Sequence, residues 1–314
     1  MYKDMRVSKI YILGIIILSV FYMACEEEFV PDDIKAKNEY VVEGHIELSN
    51  AGIPAYVILS KSISYFSDLN IETFKSVYIK DADVYIDDGN KQVKLKYICA
   101  KDLPFALAFK MISELAGKIY DPEFCFYMDV KNEIEKNPGQ TYKLIVEHEG
   151  NTISAITKMP GRVEIDSLHF EEPPGQKKDS FALLWGILND PPDETNFYRY
   201  FIKENFKKNY SYNSLRDDKI MNGQRIKFPF PKPVQPGTED FNFETGNLYK
   251  RGDTIQFKFC SISEAEYTFW QSFQFSKNQG LFSSYIRPKD NIEGGIGIWG
   301  SQNCQIVNMI VPEK

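Results

Sequence analysis

The sequence predicts a mainly β protein with two β-sandwich domains of immunoglobulin-like or transthyretin-like type and two short helices, after a signal peptide. Three observations lead to this prediction. Short segments alternate apolar and polar residues with a period of two, turn residues separate these segments at close intervals, and aromatic residues make up 14% of the 314-residue chain. The 43% of hydrophobic and 26% of charged residues are typical of a globular protein and argue against extensive disorder.

Residues 1–24 have the organisation of a secretory signal peptide. Three basic residues precede an uncharged, largely apolar run of 15 residues that extends from Ile10 to Ala24. At about 1.5 Å per helical residue this run covers about 22 Å, which is short for a hydrocarbon core of about 30 Å. We therefore expect a cleaved signal, with a retained single-span anchor as the alternative.

A small residue before Cys25 ends the apolar run, and this junction resembles the lipobox of bacterial lipoproteins. The resemblance implies cleavage before Cys25, acylation of the cysteine, and a lipid-anchored chain whose residues 25–37 form an acidic tether. The next residues resemble the acidic export signal of surface lipoproteins in the phylum Bacteroidota, and they are Glu26, Glu27 and Glu28. An incidental cysteine and a plain solvated linker are the respective alternatives.

The charge balance argues against nucleic acid as a partner. The chain carries 37 basic and 44 acidic residues, a net charge of -7. Loss of residues 1–24 removes three basic residues and one acidic residue, which changes the net charge from -7 to -9. Such a chain neither neutralises phosphates nor adheres to an anionic membrane surface, so we assign membrane attachment to the lipid.

The first sandwich domain is predicted over residues 38–160. A strand pattern begins at Tyr40, and two alternating segments, 141–147 and 152–157, are predicted to form a hairpin. Between these strands in the sequence, apolar residues recur every four positions and predict a helix over 102–117.

The second domain is predicted over residues 161–314. Ser263 and Glu266 have the spacing of a capping box, which predicts a helix that ends near Gly280, with Trp270 on an apolar stripe that faces the core. The strands of this domain are expected at 163–170, 181–188, 197–202, 254–259 and 306–311.

Residues 204–250 lack apolar periodicity and are predicted to be a long insertion in the second domain. The insertion is rich in aromatic residues, which argues against a disordered spacer. Aromatic residues on a loop offer a partner a large contact area at low entropic cost, and the candidate partner contacts are Tyr210, Tyr212, Phe228 and Phe230. The alternative is that the insertion folds back as a lid over the second sandwich.

Four further cysteines predict disulfides in an exported chain. Local pairing of Cys99 with Cys125 and of Cys260 with Cys304 keeps each bridge within one predicted domain. All three connectivities stay open, and a buried free thiol at Cys99 is a further alternative. No C-x-x-C or H-E-x-x-H pattern occurs, so no metal site is predicted.

No segment carries a complete catalytic or cofactor-binding signature. Residues 295–300 match G-x-G-x-x-G, but a dinucleotide site needs a following helix, so these glycines are predicted to form a turn where two backbones approach closely. No G-x-S-x-G elbow occurs. We therefore expect no cofactor and no enzymatic activity, although paired catalytic carboxylates need no sequence motif.

The order and spacing of several segments resemble the lipoproteins grouped as domain-of-unknown-function family 4249 (DUF4249). These segments are 40–44, 80–89, 138–144, 196–199, 252–255 and 291–297, and together they extend over almost the whole chain after Cys25. The resemblance implies an outer-membrane lipoprotein, often encoded beside a TonB-dependent outer-membrane receptor. It implies no catalytic residue.

The leading hypothesis is a surface-facing, non-enzymatic accessory of a TonB-dependent nutrient transporter, which binds substrate or caps the receptor. A structural or adhesive surface lipoprotein without a transporter is the first alternative. A hydrolase with dispersed carboxylates is the second.

Replacement of Cys25 tests the lipid anchor. Cys25→Ala removes the acylated thiol, so we expect a variant that is exported but stays in the aqueous phase when a detergent extract separates. The wild-type chain is the control and should enter the detergent phase. A variant that still partitions with detergent would disprove lipidation at Cys25.

Overall fold

The structure is a computed structural model that describes residues 39–63, 76–111, 115, 121–175, 179–192, 194–205, 208–238, 241–277 and 287–314. The described residues belong to one compact unit. The predicted signal peptide, Cys25 and the acidic triplet lie outside them. Within the described part of the chain, no helix has both the length and the apolar character needed to cross a membrane.

The described chain consists mainly of strands and contains two α-helices. In chain order the strands are β1 Tyr40–Leu48, β2 Tyr56–Lys61, β3 Asp83–Asp87, β4 Gln92–Lys94, β5 Lys96–Cys99, β6 Cys125–Met128, β7 Thr141–His148, β8 Asn151–Lys158, β9 Ile165–Glu171, β10 Phe181–Asn189, β11 Phe197–Glu204, β12 Lys208–Tyr210, β13 Leu215–Asp217, β14 Arg225–Phe230, β15 Tyr249–Lys250, β16 Thr254–Ile262, β17 Ile292–Glu293 and β18 Ile296–Ile310. The helices are α1 at Phe105–Met111, which follows a 3-10 turn at Ala100–Asp102, and α2 at Glu264–Lys277.

Three sheets contain these strands. The largest has nine strands in the order β12-β11-β16-β18-β1-β2-β6-β5, with β13 also paired to β11. Its pair β1 and β18 is parallel, whereas its other neighbours are antiparallel. A four-stranded sheet has the order β14-β10-β15 with β9 on β10, and a five-stranded sheet has the order β17-β8-β7-β3-β4.

Two sandwiches share the nine-stranded sheet. Strands β1, β2 and β18 pack on the five-stranded sheet around a first core that contains Ile46, Leu144 and Trp299. Strands β11 and β16 pack on the four-stranded sheet around a second core that contains Leu184 and Phe257. Each core buries the inward residues of two sheets, so the hydrophobic effect holds the sheets face to face.

The opposite face of the nine-stranded sheet carries two smaller apolar clusters, which we call the helical caps. In the first cap, Met111 of α1 packs over β2, β5 and β6 with Ile58 and Phe126. In the second cap, Tyr267 of α2 packs over β11, β16 and β18 with Ile262. The caps cover parts of a sheet face that would otherwise expose apolar side chains to water.

The mainly β fold class, with sandwich packing and two helices, is confirmed. The predicted hairpin corresponds to β7 and β8, which pair from Thr141 with Lys158 to His148 with Asn151. Within the helix predicted over 102–117, the described residues are α-helical only at Phe105–Met111, and Asp102 ends the preceding 3-10 turn. The α-helix begins directly after Pro104. Proline is tolerated at the start of a helix, whereas in the interior it disrupts the helix. The domain boundary after residue 160 stays a prediction.

The structure corrects the prediction for residues 295–300, since Ile296 already begins β18 and the segment is not a turn. The predicted close approach of two backbones is present: Gly297 pairs with Val42 and has a φ of +122°, and an ideal Cβ there would lie 2.0 Å from the Val42 carbonyl oxygen. Alternation misses this part of the strand because glycine contributes no side chain to the pattern.

Gly297→Ala tests the parallel junction between β1 and β18. The added Cβ meets the Val42 carbonyl and demands a strained backbone, so we expect a loss of about 3 kcal/mol or more in unfolding free energy. Gly139→Ala is the matched control, because Gly139 also has a positive φ of +80° but no atom within 4 Å of an added Cβ. We expect about 1 kcal/mol there. Equal losses in chemical denaturation would refute the proposed contact.

Candidate ligand-binding groove

A groove with a cavity volume of about 1070 Å³ lies on the outer face of the nine-stranded sheet, between the helical caps. Strands β11, β16, β18 and β1 form its base. Helix α2 forms one side, and residues 50–53 with Lys110 of α1 form the other. Its polar lining includes Glu43, His45, Arg199, Lys258, Glu266 and Gln302.

Strand alternation places these side chains in the groove. In β1, Val42 and Ile46 point into the first core, so His45 between them faces the groove. In β16, Phe257 points into the second core and Lys258 faces the groove. Lys258 alternates with the apolar residues of β16, a pattern typical of a solvated face, but this face is covered and Lys258 is only 8% exposed.

Glu47 is buried beneath the groove and forms the centre of a charged network. Its Oε2 atom accepts hydrogen bonds from Lys258 Nζ at 2.6 Å and from Gln302 Nε2 at 2.7 Å, and His45 Nε2 lies 3.8 Å from the same oxygen. Burial raises the pKa of Glu47, but the attraction of Lys258 and the contribution of His45 outweigh it, so this pKa lies well below its usual value. Glu47 therefore stays ionised and positions Lys258 and Gln302.

Arg199 of β11 lies against two aromatic rings in the groove. Its guanidinium carbon is 4.3 Å from the centre of the Trp270 ring and 4.8 Å from that of Phe201. The residue is 7% exposed, and its Nε has no hydrogen-bond partner within the described residues. Burial lowers the pKa of Arg199 to about 10, although Glu266 opposes this shift. The groove therefore contains a buried cation with an unused donor at neutral pH.

The Cys260–Cys304 disulfide lies in the same row of the sheet as Arg199. Arg199 pairs with Cys260 between β11 and β16, and Cys260 pairs with Cys304 between β16 and β18. The other disulfide joins Cys99 of β5 to Cys125 of β6. These are the two local pairings among the connectivities that the sequence leaves open. Each bridge adds a covalent link between strands that are already in register.

Glu266 occupies the third position of α2, and its capping box is only half formed. Ser263 Oγ accepts a hydrogen bond from the Glu266 N–H at 3.3 Å, but the Ser263 N–H donates to the Ser301 carbonyl. The Glu266 carboxyl lies against Gly300 instead, where an ideal Cβ would be 2.9 Å from Oε2. Within the described chain this buried Oε2 has no hydrogen-bond partner.

Burial also sets the protonation of Glu266. It raises the pKa of this carboxyl above its ordinary value, although the nearby basic residues oppose the shift. Two buried carboxyls near the same groove therefore behave in opposite ways. Glu47 is held in its ionised form by direct partners, whereas burial makes ionisation of Glu266 more costly and no hydrogen bond to its Oε2 within the described chain compensates for that cost.

The groove is more basic than the chain as a whole. Glu43 and Glu266 are the acidic residues of its lining, whereas the Lys and Arg residues there are Lys110, Arg199, Lys203 and Lys258. A chain with a net charge of -7 thus presents a groove with an excess of positive charge. Such a local excess attracts an anionic ligand.

The insertion at 204–250 contributes to the second core more than to the groove. It contains β12 to β15, and Phe230 is 2% exposed within the second core. This corrects the assignment of Phe230 as a partner contact, because a partner cannot reach a core residue. Phe228 is half-buried and packs on the same core. These contacts agree with the alternative that the insertion covers the second sandwich.

The remaining predicted contacts, Tyr210 and Tyr212, are half-buried and do not line the groove. Their neighbours Asn209 and Ser211 line it instead. Successive residues of an extended chain face opposite sides, so the two tyrosines face away from the groove, and their role as partner contacts stays a prediction.

Three groove residues carry only a weak signal in the sequence. Glu266 is explained by a capping box, and Trp270 lies on a stripe predicted to face the core, although it lines the groove. Arg199 lies among aromatic residues in a strand pattern. A charge inside an aromatic strand is the one available signal, and it does not reveal that α2 packs above it.

A second polar cluster joins Tyr40, His148 and Asp81. The Tyr40 hydroxyl lies 2.9 Å from His148 Nδ1, and His148 Nε2 lies 3.1 Å from Asp81 Oδ1. These contacts tie the start of β1 to the β7–β8 hairpin. Within the described residues, no group of three or more His, Cys, Asp or Glu side chains is arranged to hold a metal ion.

The fold and the groove define a mainly β protein with a polar groove on a sheet shared by two sandwiches. Residues 26–305 match the family described as Domain of unknown function (DUF4249), so the chain belongs to that family. The resemblance noted in the sequence is thereby confirmed at the level of the family. No curated protein matches the chain.

The two buried carboxyls predict opposite responses to the same substitution. Glu47→Gln leaves Lys258 buried without its counter-ion, so we expect a loss of about 3 kcal/mol at pH 7. Glu266→Gln removes a carboxyl that is costly to ionise, so we expect a gain of about 1 kcal/mol at pH 7. Thermal and chemical unfolding measure both effects.

The pH dependence provides the control for these variants. A lowered pKa in the folded chain stabilises it above the ordinary value of 4.5, so the loss at Glu47→Gln should shrink as the pH falls below 4.5. A raised pKa destabilises the folded chain at neutral pH, so the gain at Glu266→Gln should shrink as the pH falls toward 4.5. Changes of the same sign in both variants would contradict this account.

Proposed function

We propose that this chain is a lipid-anchored, surface-facing outer-membrane protein that binds a ligand as a non-enzymatic accessory of a TonB-dependent nutrient transporter. The observation that carries the ligand-binding part is the groove, where Arg199 and Glu266 are buried with unused hydrogen-bonding atoms. Each unpaired group costs about 1–3 kcal/mol of stability. Such a cost is typical of a site that a ligand completes.

The anchor and the transporter partner rest on the sequence. The lipobox at Cys25 supports attachment to a membrane, and the acidic triplet after it supports display at the cell surface. The resemblance to the DUF4249 lipoproteins supports a TonB-dependent receptor as the partner. A lipid tether would keep the groove at a high local concentration near a receptor in the same membrane.

The groove also bears on the alternative of a structural or adhesive lipoprotein. A scaffold gains little from a buried cation whose Nε donor lacks a hydrogen-bond partner within the described residues, and hydrophobic residues of similar volume would suit the same position. The arrangement therefore favours recognition over a purely structural role.

One observation favours the hydrolase as a second candidate. The pKa of Glu47 is lowered and that of Glu266 is raised, as in the carboxyl pairs of acid–base catalysis. However, Oε2 of Glu47 already accepts hydrogen bonds from Lys258 and Gln302, which makes it a poor base. Turnover of glycoside or peptide substrates by the pure protein, abolished by Glu266→Gln, would establish this candidate and overturn the non-enzymatic assignment.

Recovery of the partner tests the transporter assignment. We expect that the tagged wild-type chain, purified from mildly solubilised outer membranes, recovers a receptor-sized β-barrel protein that mass spectrometry identifies as a TonB-dependent receptor. The tagged Cys25→Ala variant is the control, because without its anchor it should not reach the same membrane and should recover none. If the wild-type chain recovers no such receptor, the transporter assignment is wrong.

A further inference from the structure

The strongest unassigned feature of the molecule is the guanidinium of Arg199. Its contacts with Trp270 and Phe201 engage the aromatic rings, but they leave the Nε donor without a partner in the described chain. The guanidinium presents its donors as a planar fork that a carboxylate matches with two parallel hydrogen bonds. A ligand carboxylate would therefore satisfy this donor and the buried charge together.

Glu266 is the second buried group that a ligand in this groove would have to satisfy. Glu266 lines the same groove and is 3% exposed, and its buried Oε2 atom has no hydrogen-bond partner within the described residues. No salt bridge joins it to Arg199 within the described residues, although each influences the charge of the other. A ligand group that donates a hydrogen bond to this oxygen would satisfy the second unpaired atom, as a carboxylate would satisfy Nε of Arg199.

The rest of the groove limits the body of the ligand. Trp270 and Phe201 add aromatic surface beside Arg199, and Ile298 and Ile306 add apolar surface from β18. These residues suit a compact body such as a sugar ring or an apolar side chain. A cavity of about 1070 Å³ has room for a ligand of a few such units.

We infer that the groove binds a small organic carboxylate that also carries a hydroxyl or ammonium donor. Arg199 binds the carboxylate, Glu266 accepts the hydrogen bond from the donor, and Trp270 packs on the ligand body. The inference deepens the proposed function and rests on it, because it names the ligand class for the same groove. An acidic sugar and an amino acid both present this chemistry, so the experiment includes both.

Ligand-observed NMR titration of the purified chain tests the inference with matched probes. D-Glucuronate and L-phenylalanine are the acids, and D-glucuronamide and L-phenylalaninamide are their counterparts without the carboxylate. We expect at least one acid to bind and its amide to bind about tenfold more weakly. Inorganic phosphate serves as the competing anion and should not displace the acid at equal concentration.

Three variants test which residues cause the difference between binding of the acid and binding of its amide. Arg199→Met replaces the cation with an apolar side chain of similar length, so it should keep the thermal midpoint and reduce acid binding to the level of the amide. Arg199→Lys keeps the charge but loses the fork, so acid binding should stay weakened. Arg225→Met is the matched control, because it removes an exposed positive charge outside the groove and should leave binding unchanged.

Glu266→Gln distinguishes the two sources of the donor. Glutamine still accepts a hydrogen bond but carries no charge, so binding of the amino acid should fall much more than binding of the sugar acid. A large fall in binding of the amino acid identifies the donor as ammonium, whereas a small fall in binding of the sugar acid identifies it as hydroxyl. Both results support the inference. Unchanged binding of both acids would show that Glu266 does not contact the ligand and would overturn its assigned role.

Four results would overturn the inference: neither acid binds, the amides bind as tightly as the acids, phosphate displaces the acid, or Arg199→Met binds the acid like the wild type. These failures are separate from failure of the proposed function. A wild-type chain that recovers its receptor but binds no probe would refute only the ligand class. A chain that binds the acids but recovers no receptor would refute only the transporter assignment.

Discussion

The parallel pairing of β1 with β18 is the contact on which the rest of the structure depends. It joins an early strand of the chain to its last strand and completes the sheet that both sandwiches share. One face of this pair contributes Ile46 and Trp299 to the first core, and the other face forms the base of the groove. The Trp299 indole N–H also donates to the Tyr142 carbonyl at 3.1 Å, which ties the pair to the opposite sheet. A change in register here would disturb the core and the groove together, because side chains alternate between the two faces.

The groove concentrates polar groups that contribute unequally to stability. Glu47 is compensated by Lys258 and Gln302, so this buried network keeps its charges paired. Arg199 and Glu266 are buried without equivalent partners in the described chain. The folded chain tolerates them because the two large cores and the Cys260–Cys304 disulfide, which lies in the same row of the sheet as Arg199, supply the stability. This division between the paired network around Glu47 and the unpaired atoms of Arg199 and Glu266 is consistent with a site that a ligand completes.

Local sequence patterns predict most of the secondary structure correctly, because these patterns reflect short-range geometry. The hairpin of β7 and β8 has clear alternation on both strands and positive φ values at Glu149 and Gly150 in its turn. The beginning of α2 follows from Ser263, whose hydroxyl accepts the Glu266 N–H. The start of β18 is missed, because Gly297 and Gly300 interrupt the alternation. These glycines are needed only for contacts with Val42 and Glu266, which are distant in sequence.

The sequence by itself determined the mainly β class, the capped second helix and the resemblance to DUF4249, since periodicity, turn residues and segment order are properties of the chain alone. Only the tertiary structure decided that two sandwiches share one sheet and that a groove separates the helical caps. Arg199, Lys258 and Glu266 lie on three different elements, and each has an ordinary local role in the sequence as a strand or helix residue. Their chemistry arises because the packing of α2 over β11 and β16 buries them together. Burial and the absence of partners depend on contacts between distant residues, which no local pattern encodes.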